Sequence, residues 1–184
     1  PISYIINDCI AEVWGFRRTT LVIWIAFAMN FMAVLVGLLA VHLPAASYWE
    51  GADHFNFVFG FAPRIVIASL LAFLSGSFTN AYIMSKMKVF HNGKYFSVRA
   101  IISTIVGETI DSIIFFPIAF CGIIAFENLL GLMITQIIMK SVYEIIVLPI
   151  TIKAVKALKH IEGMDVYDNG ISYNIWNLSQ NKNS

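Results

Sequence analysis

The stretch that decides the fold is Thr19–His42, TTLVIWIAFAMNFMAVLVGLLAVH, which contains no charged side chain. A second uncharged stretch, IVIASLLAFLSGSFTNAYIMS, runs from Ile65 to Ser85. Each exceeds the roughly 18 apolar residues that mark a candidate membrane-spanning helix. Two further stretches, Ala100–Phe126 and Asn128–Ile152, are as long but contain ionisable groups. The four stretches predict an all-α integral membrane protein that crosses the bilayer several times.

The composition agrees with this prediction and limits the function classes. The chain has 184 residues, of which 59% are hydrophobic and 12% are charged, whereas soluble domains carry about 25% charged residues. We divide it into one transmembrane helical domain, residues 1–160, and a polar C-terminal tail, residues 161–184. The sequence has no phosphate-binding loop and no GxGxxG motif, so an ATPase would have to be another chain. Cys9 and Cys121 are far apart without CxxC spacing, and we expect neither a metal site nor a cofactor.

Lys and Arg collect in alternate connections between the predicted spans. They occur at 17–18, between 86 and 99, and between 153 and 159, whereas the connections LPAASYWEGADHF and FEN have none. Under the positive-inside rule the basic connections and the C-terminus are cytoplasmic. The opening residues, PISYIINDCIAEVWG, read as the end of a helix too short to span alone. We therefore expect one more helix upstream and a bundle of about six transmembrane helices in the whole protein.

Ionisable residues at membrane depth are the main functional signal. They form three pairs at helical spacing, Asp8 with Glu12, Glu108 with Asp111, and Lys140 with Glu144. A charged residue at the centre of a spanning helix costs roughly 2.5–3.5 kcal/mol on insertion scales. Each pair lies on one helix face. These faces must meet each other or a water-filled cavity, because lipid would not satisfy them.

The deep acids outnumber the cations available to them. Five acids, Asp8, Glu12, Glu108, Asp111 and Glu144, face one deep cation, Lys140, and one at the membrane edge, Arg64. One interpretation is a structural polar core in which Lys140 pairs with Glu144 or Asp111. The other is that the excess acids bind protons, a cation or a ligand rich in hydrogen-bond donors. A guanine-like base is such a ligand, because a carboxylate accepts its N1–H and exocyclic amine and a Lys or Asn can donate to its carbonyl. An aromatic side chain, Phe115, Phe120 or Tyr143, would stack on its ring.

Several motifs resemble one transporter family. They lie in PISYIINDCIAEVWGFRR, ASLLAFLSGSFTNAYIMSKMK, GKYFSVRAIISTIVGETIDSIIFFPIAFCG and KSVYEIIVLP. The most specific are D-x-x-x-E (Asp8, Glu12) and R-x-x-x-S-T followed by E-x-x-D (Arg99, Ser103, Thr104, Glu108, Asp111). From Pro1 to about Asp168 the chain resembles the queuosine precursor transporter family, also called the vitamin uptake transporter family. It departs from the family pattern at Ser77, where an acidic residue is expected.

The resemblance implies a fold, a substrate and a set of site residues. The fold is a six-helix bundle similar to the substrate-binding components of energy-coupling factor transporters. The substrate is a small purine-like molecule, a 7-deazaguanine precursor of the modified transfer RNA nucleoside queuosine, taken up across the lipid bilayer, and no nucleic acid is bound. The expected binding residues are Glu108 and Asp111 for the purine edge, Lys140 for its carbonyl or for charge balance, Asn80 as a supporting contact, and Phe115 and Tyr143. The expected gating or structural charge cluster is Asp8, Glu12 and Arg99.

Two other function classes are alternatives to a self-contained transporter. An intramembrane enzyme needs a deep His or a pair of Asp in characteristic contexts. All four His lie at span ends or in loops (His42, His54, His91, His160), so we expect no enzymatic activity. A substrate-binding subunit energised by a separate ATPase would share the same site and differ only in its partners. The sequence therefore does not decide whether the chain works with an energising subunit or whether it forms a homo-oligomer.

Overall fold

The computed structural model describes residues 2–46, 49–59 and 63–176. Within these ranges the chain forms six helices and no β-sheet. The helices are α1 Ile2–Trp14, α2 Phe16–Val41, α3 Ala52–Phe59, α4 Pro63–Phe90, α5 Phe96–Phe120 and α6 Phe126–Glu162. The predicted all-α class is therefore confirmed.

Four of these helices are long and apolar enough to cross a membrane. Their candidate spans are Phe16–Val41, Arg64–Phe90, Phe96–Phe120 and Phe126–Glu162, one for each stretch predicted from the sequence. α6 has 37 residues and is about 55 Å long at 1.5 Å per residue, so it extends well beyond a hydrocarbon core of about 30 Å. α1 has 13 residues and is about 20 Å long, too short to cross alone.

α4 and α5 approach closely near the middle of the bundle, where each has a glycine. A Cβ atom at Gly107 would lie 3.0 Å from the Gly76 carbonyl oxygen and 2.8 Å from the Tyr4 ring. A Cβ atom at Gly76 would clash with the Tyr4 hydroxyl. Glycine at both positions therefore lets α1 place the Tyr4 side chain directly against α4 and α5. This contact fixes the three helices that carry most of the buried polar groups.

Many polar side chains are buried inside the bundle, and its outer surface is apolar. Buried polar side chains occur on α1, α2, α4, α5 and α6, among them Asn7, Asp8, Glu12, Thr19, Ser77, Asn80, Arg99, Thr104, Glu108, Ser112 and Glu144. The outer surface of α6, in contrast, exposes Ile134, Ile138, Ile146 and Ile150. This distribution suits a bundle in lipid, because hydrocarbon solvates the apolar side chains while polar groups find partners only inside.

Segment 163–176 folds back over one end of the bundle. At this end α1, α4 and α6 finish and α2 and α5 begin, and we call it the basic end because it carries the clustered Lys and Arg. The Asp168 carboxylate accepts hydrogen bonds from the backbone N–H of Phe16 at 2.8 Å and from the Ser85 hydroxyl at 2.5 Å. The ring of Tyr173 lies 4.9 Å from the ring of Phe16. The described part of the polar tail is thus packed onto the bundle.

Candidate binding site

A cavity of about 300 Å³ lies among five helices, in the half of the bundle farther from the basic end. Its lining residues are Ser3 and Tyr4 of α1, Asn30 of α2, Ser69, Ala72 and Phe73 of α4, Glu108, Asp111 and Phe115 of α5, and Gln136 and Lys140 of α6. Four of the residues expected to bind a ligand are among them: Glu108, Asp111, Phe115 and Lys140. The structure therefore brings most of the predicted binding residues to one small cavity.

Glu108 presents an unused hydrogen-bond acceptor at this cavity. Its side chain is fully buried, and its Oε2 lies 2.5 Å from Lys140 Nζ. Its Oε1 is also buried but has no hydrogen-bond partner within the described ranges. An unsatisfied buried acceptor costs about 1–3 kcal/mol, and more when charged. A ligand that donates a hydrogen bond to Oε1 would recover this free energy.

Lys140 is shared between the two carboxylates of the cavity. Its Nζ lies 3.6 Å from Asp111 Oδ2, in addition to its closer contact with Glu108. Gln136 supports the arrangement, because its amide donates to Asp111 Oδ2 at 3.4 Å and to the Ser112 hydroxyl at 3.3 Å. Two carboxylates and one ammonium group leave the cavity with a net negative charge when all three are ionised. A ligand rich in donors suits such a site.

Lys140 does not pair with Glu144, the residue that helical spacing suggested. The sequence offered Glu144 or Asp111, and the structure pairs Lys140 with Asp111 at 3.6 Å and, more closely, with Glu108 of the same helix α5 at 2.5 Å. Glu144 lies one turn further along α6, where its side chain is buried and its Oε2 has no hydrogen-bond partner within the described ranges. Because α6 packs against both α5 and α1, a side chain of α6 can meet a partner on another helix rather than on its own.

Aromatic rings and a free hydroxyl complete the cavity. Phe73 of α4 and Phe115 of α5 both line it. The Phe115 ring is held edge-on by Phe116 and Phe120, at centroid distances of 5.3 and 5.9 Å. The Tyr4 hydroxyl is buried and has no hydrogen-bond partner within the described ranges. The cavity therefore offers flat apolar faces, acceptors and donors to one small ligand.

Two of the expected binding residues lie outside the cavity lining. Asn80 is fully buried and donates to Asp8 Oδ1 at 3.0 Å and to Thr104 Oγ1 at 3.4 Å. Asn80 therefore connects α4 to α1 and α5, closer to the basic end than the cavity. Tyr143 is 38% exposed on α6.

Glu12 and Arg99 form the centre of an ion cluster that closes the basic end. Arg99 donates two hydrogen bonds to Glu12, with Nη1–Oε2 at 2.7 Å and Nη2–Oε1 at 3.1 Å. Lys159 lies 2.7 Å from Glu12 and 2.8 Å from Asp165, and Lys88 lies 2.5 Å from Asp165. Burial alone would raise the pKa of Asp165, but hydrogen bonds from Lys159 and Lys88 lower that pKa below its usual range. We call these five residues the basic-end cluster; Asp8, grouped with them in the sequence, lies one turn deeper.

Asn30 and Tyr4 are lining residues that sequence reasoning did not single out, although the sequence contains a signal for each. Asn30 is the only amide or hydroxyl side chain between Leu21 and Val41 of α2, and polar groups inside a span mark interior faces. Tyr4 precedes Asp8 by four residues and therefore shares its helix face.

The family of the chain follows from comparison with known proteins. Residues 1–154 match the model of a protein family described as "Putative vitamin uptake transporter". The chain belongs to this family. This transporter is also 26% identical over 159 residues to a protein of Bacillus subtilis (strain 168) named "Probable queuosine precursor transporter", a match that covers 85% of this chain and 69% of the relative. No solved structure matches it. The family resemblance inferred from the motifs is therefore confirmed, and with the four candidate spans it makes the chain a multi-pass membrane transporter.

Proposed function

We propose that this transporter carries 7-deazaguanine bases, the precursors of queuosine, into the bacterial cell across its (inner) membrane. The observation that carries the proposal is the free Oε1 of Glu108 in a small cavity that also contains a second carboxylate and an ammonium group. Family membership and the name of the Bacillus relative support it. In the proposed orientation the basic end and the C-terminus lie in the cytoplasm, as the distribution of Lys and Arg favours.

The hydrogen-bonding edge of a guanine-like base complements these groups. Its N1–H and exocyclic amine are adjacent donors, which Glu108 and Asp111 accept. Its carbonyl oxygen is an acceptor, to which Lys140 or the Tyr4 hydroxyl donates. An adenine-like base lacks the N1–H and presents a lone pair there, so it would face the carboxylates with an acceptor. The site therefore distinguishes the two kinds of base by hydrogen bonding.

The size and the walls of the cavity suit one bicyclic ring. A volume of about 300 Å³ is at the lower end of the range for small-molecule sites. Phe73 and Phe115 supply aromatic surfaces on which a planar base can stack, an arrangement that contributes about 1–3 kcal/mol per base in nucleic-acid-binding proteins.

The two ends of the bundle differ in the bonds that hold them closed. At the basic end Glu12 binds Arg99 and Lys159, so a base leaving toward the cytoplasm requires this cluster to separate. At the opposite end Arg64 donates to backbone carbonyls at the end of α5, among them Ile118 and, at 2.8 Å, Cys121. We assign Glu12 and Arg99 as the inner gate of the transport cycle.

Uptake by a bacterial strain that cannot make queuosine precursors and lacks its own importer tests the proposal. Queuosine in transfer RNA is measured by mass spectrometry after the cells are supplied with 7-deazaguanine precursors. We expect the wild-type chain to restore queuosine, Glu108→Gln to fail, and the matched variant Glu162→Gln, at the exposed end of α6, to behave as wild type.

Competition separates a specific base site from a general nucleobase carrier. Excess guanine should suppress the rescue, and excess adenine should not. Equal suppression by the two bases, or full rescue by Glu108→Gln, contradicts the proposed site.

A further inference from the structure

Segment 163–176, which we call the C-terminal strap, crosses the basic end after α6. The chain reverses at Gly163, whose φ of +62° ends α6 in the left-handed conformation that glycine adopts without strain. Among the described residues, no atom beyond its immediate neighbours lies within 4 Å of the place that a Cβ atom of Gly163 would take. The reversal itself, rather than close packing, therefore favours glycine there.

The strap is bonded to α1 and α2. The Val166 backbone N–H donates to the Val13 carbonyl at the end of α1, at 3.2 Å. The Trp24 indole of α2 donates to the Ile175 carbonyl at 3.0 Å, and the Asp168 carboxylate accepts the first backbone N–H of α2. Because the strap continues the chain of α6, it ties α1 and α2 to α6.

Two lysines connect the strap to Glu12. Lys88 of α4 donates to Asp165 Oδ1 at 2.5 Å and to the Val166 carbonyl at 2.8 Å, and it also donates to the Glu12 backbone carbonyl. Lys159 of α6 lies 2.7 Å from a carboxylate oxygen of Glu12 and 2.8 Å from Asp165. Both lysines are therefore shared between the strap and a residue that we assign to the inner gate.

The strap also touches the backbone of two loops at the basic end. A Cβ atom at Gly15, between α1 and α2, would lie 2.8 Å from Asp168 Oδ1. A Cβ atom at Gly93, between α4 and α5, would clash with the Tyr167 hydroxyl. The two loops therefore cannot move apart while the strap keeps its contacts with both.

We propose that the C-terminal strap is an autoinhibitory element that holds the inner gate closed and must detach before a base leaves the transporter. This inference rests on the proposed function, because Glu12 and Arg99 are a gate only if the base passes the basic end. Regulation of the site then lies in the chain itself, since the strength of strap docking sets how often the gate opens.

The shared lysines make opening of the gate and release of the strap one event. If α1 moves away from α6, Glu12 separates from Lys159, and Val166, held to α6 through the reversal at Gly163, is pulled from Val13. If α4 moves away from α6, Lys88 separates from Asp165 in the same way. Gate opening of this kind is the usual conformational step in the release of a transported or converted molecule.

A covalent lock of the strap onto α1 tests the proposal. The backbones of Val13 and Val166 are hydrogen-bonded, so cysteines at these two positions are close enough to be joined by a disulfide or a short reducible thiol cross-linker. In a cysteine-free background, exchange of radiolabelled 7-deazaguanine across proteoliposomes should stop when Val13→Cys/Val166→Cys is cross-linked and return on reduction. The two single variants, treated in the same way, should exchange at the rate of the untreated protein. Unchanged exchange by the cross-linked protein overturns the strap as a gate element.

Loosening the strap tests the same proposal without any substrate. Ser103, on α5 one turn deeper than Arg99, is fully buried, so Ser103→Cys in a cysteine-free background reports opening of the basic end through its reaction with a water-soluble thiol reagent. Asp168→Ala removes the acceptor for the Phe16 N–H and the Ser85 hydroxyl and should speed this labelling about tenfold or more. The matched control Asp53→Ala, at an exposed position of α3, should leave it unchanged.

The two experiments separate failure of the strap from failure of the proposed function. Labelling of Ser103→Cys at the same rate with and without Asp168→Ala overturns the strap. No exchange of 7-deazaguanine by the untreated protein contradicts the proposed substrate instead, and the labelling rates then decide the strap alone.

Discussion

Replacing Glu12 by Gln should strongly destabilise the transporter, because it removes the anion on which the basic-end cluster is built. Glu12 and Arg99 are 1% and 0% exposed, respectively. Gln keeps the size of the side chain but replaces one acceptor oxygen by an amide donor, which would face the guanidinium group. Arg99 would keep its hydrogen bonds to the carbonyls of Lys94 and Gly93, but it would lose its carboxylate partner.

The magnitude follows from the burial of the pair. Breaking a buried ion pair by removing one partner costs about 3–5 kcal/mol. The loss of Glu12 as a partner of Lys159 adds little to this cost, because Lys159 keeps its other partner, Asp165, at 2.8 Å. For a chain of this length each kcal/mol lowers the unfolding midpoint by about 2–4 °C. The expected decrease for Glu12→Gln is therefore about 6–20 °C.

The assay is thermal unfolding in detergent, followed by the fraction of protein that still elutes as a folded species in size-exclusion chromatography. The matched control is Glu127→Gln, the same substitution at an exposed position at the start of α6, which should change the free energy of unfolding by no more than about 0.5 kcal/mol. A midpoint for Glu12→Gln within about 2 °C of wild type would refute the view that Glu12 holds the basic end together.

Three further outcomes are expected. Asp111→Asn should insert and fold normally but lose uptake of 7-deazaguanine bases, while the exposed matched variant Asp53→Asn retains it; normal uptake by Asp111→Asn would exclude this residue from the site. In a cysteine-free background, Ile161→Cys should resist a membrane-impermeant thiol reagent in intact cells and Ala46→Cys should react; the reverse labelling would overturn the proposed orientation. The pKa of Asp165 is held below its usual 3.8, so its contribution to docking the C-terminal segment should be complete above about pH 4 and lost as the pH falls through the lowered pKa. Limited proteolysis after Glu162 should therefore be equally slow from pH 5 to 8. Faster cleavage at pH 5 would contradict this.

The membrane spans could be predicted because the free-energy cost of placing a side chain in the bilayer depends mainly on the type of side chain. A charge inside hydrocarbon is costly wherever the neighbouring helices lie, so uncharged stretches report spans without any tertiary information. Ile65–Ser85 falls entirely within α4, and Thr19–His42 extends one residue beyond the end of α2. The depth of the acids could be predicted for the same reason.

The closest partner of Lys140 could not be predicted, because spacing along one helix does not report contacts between helices. Lys140 and Glu144 have the i, i+4 spacing of a pair, yet the closest carboxylate to Lys140 is Glu108 of α5, at 2.5 Å. The charge count also treated Arg99 as a residue of the cytoplasmic connection, whereas its guanidinium group is buried against Glu12.

The polar composition of the C-terminal segment did not indicate that this segment packs onto the bundle. Its polar residues read as a solvated tail, but they satisfy specific groups at the basic end. Asp168 accepts the backbone N–H of Phe16 at the start of α2, and Asp165 accepts from Lys88 and Lys159. A carboxylate at a helix N-terminus is favourable in general, but which helix it meets depends on the tertiary fold.

The most direct test of the account is the binding of a guanine-like base to the purified transporter. Isothermal titration calorimetry compares 7-deazaguanine with 7-deazaadenine, in wild type, in Glu108→Gln and in the exposed control Glu162→Gln. A hydrogen bond to a charged group contributes about 1.5–3 kcal/mol, so the account predicts that Glu108→Gln weakens 7-deazaguanine binding by about 10- to 150-fold and that the control leaves it unchanged. It also predicts that wild type prefers 7-deazaguanine to 7-deazaadenine. Equal affinity of wild type for the two bases, or unchanged affinity of Glu108→Gln for 7-deazaguanine, would contradict it.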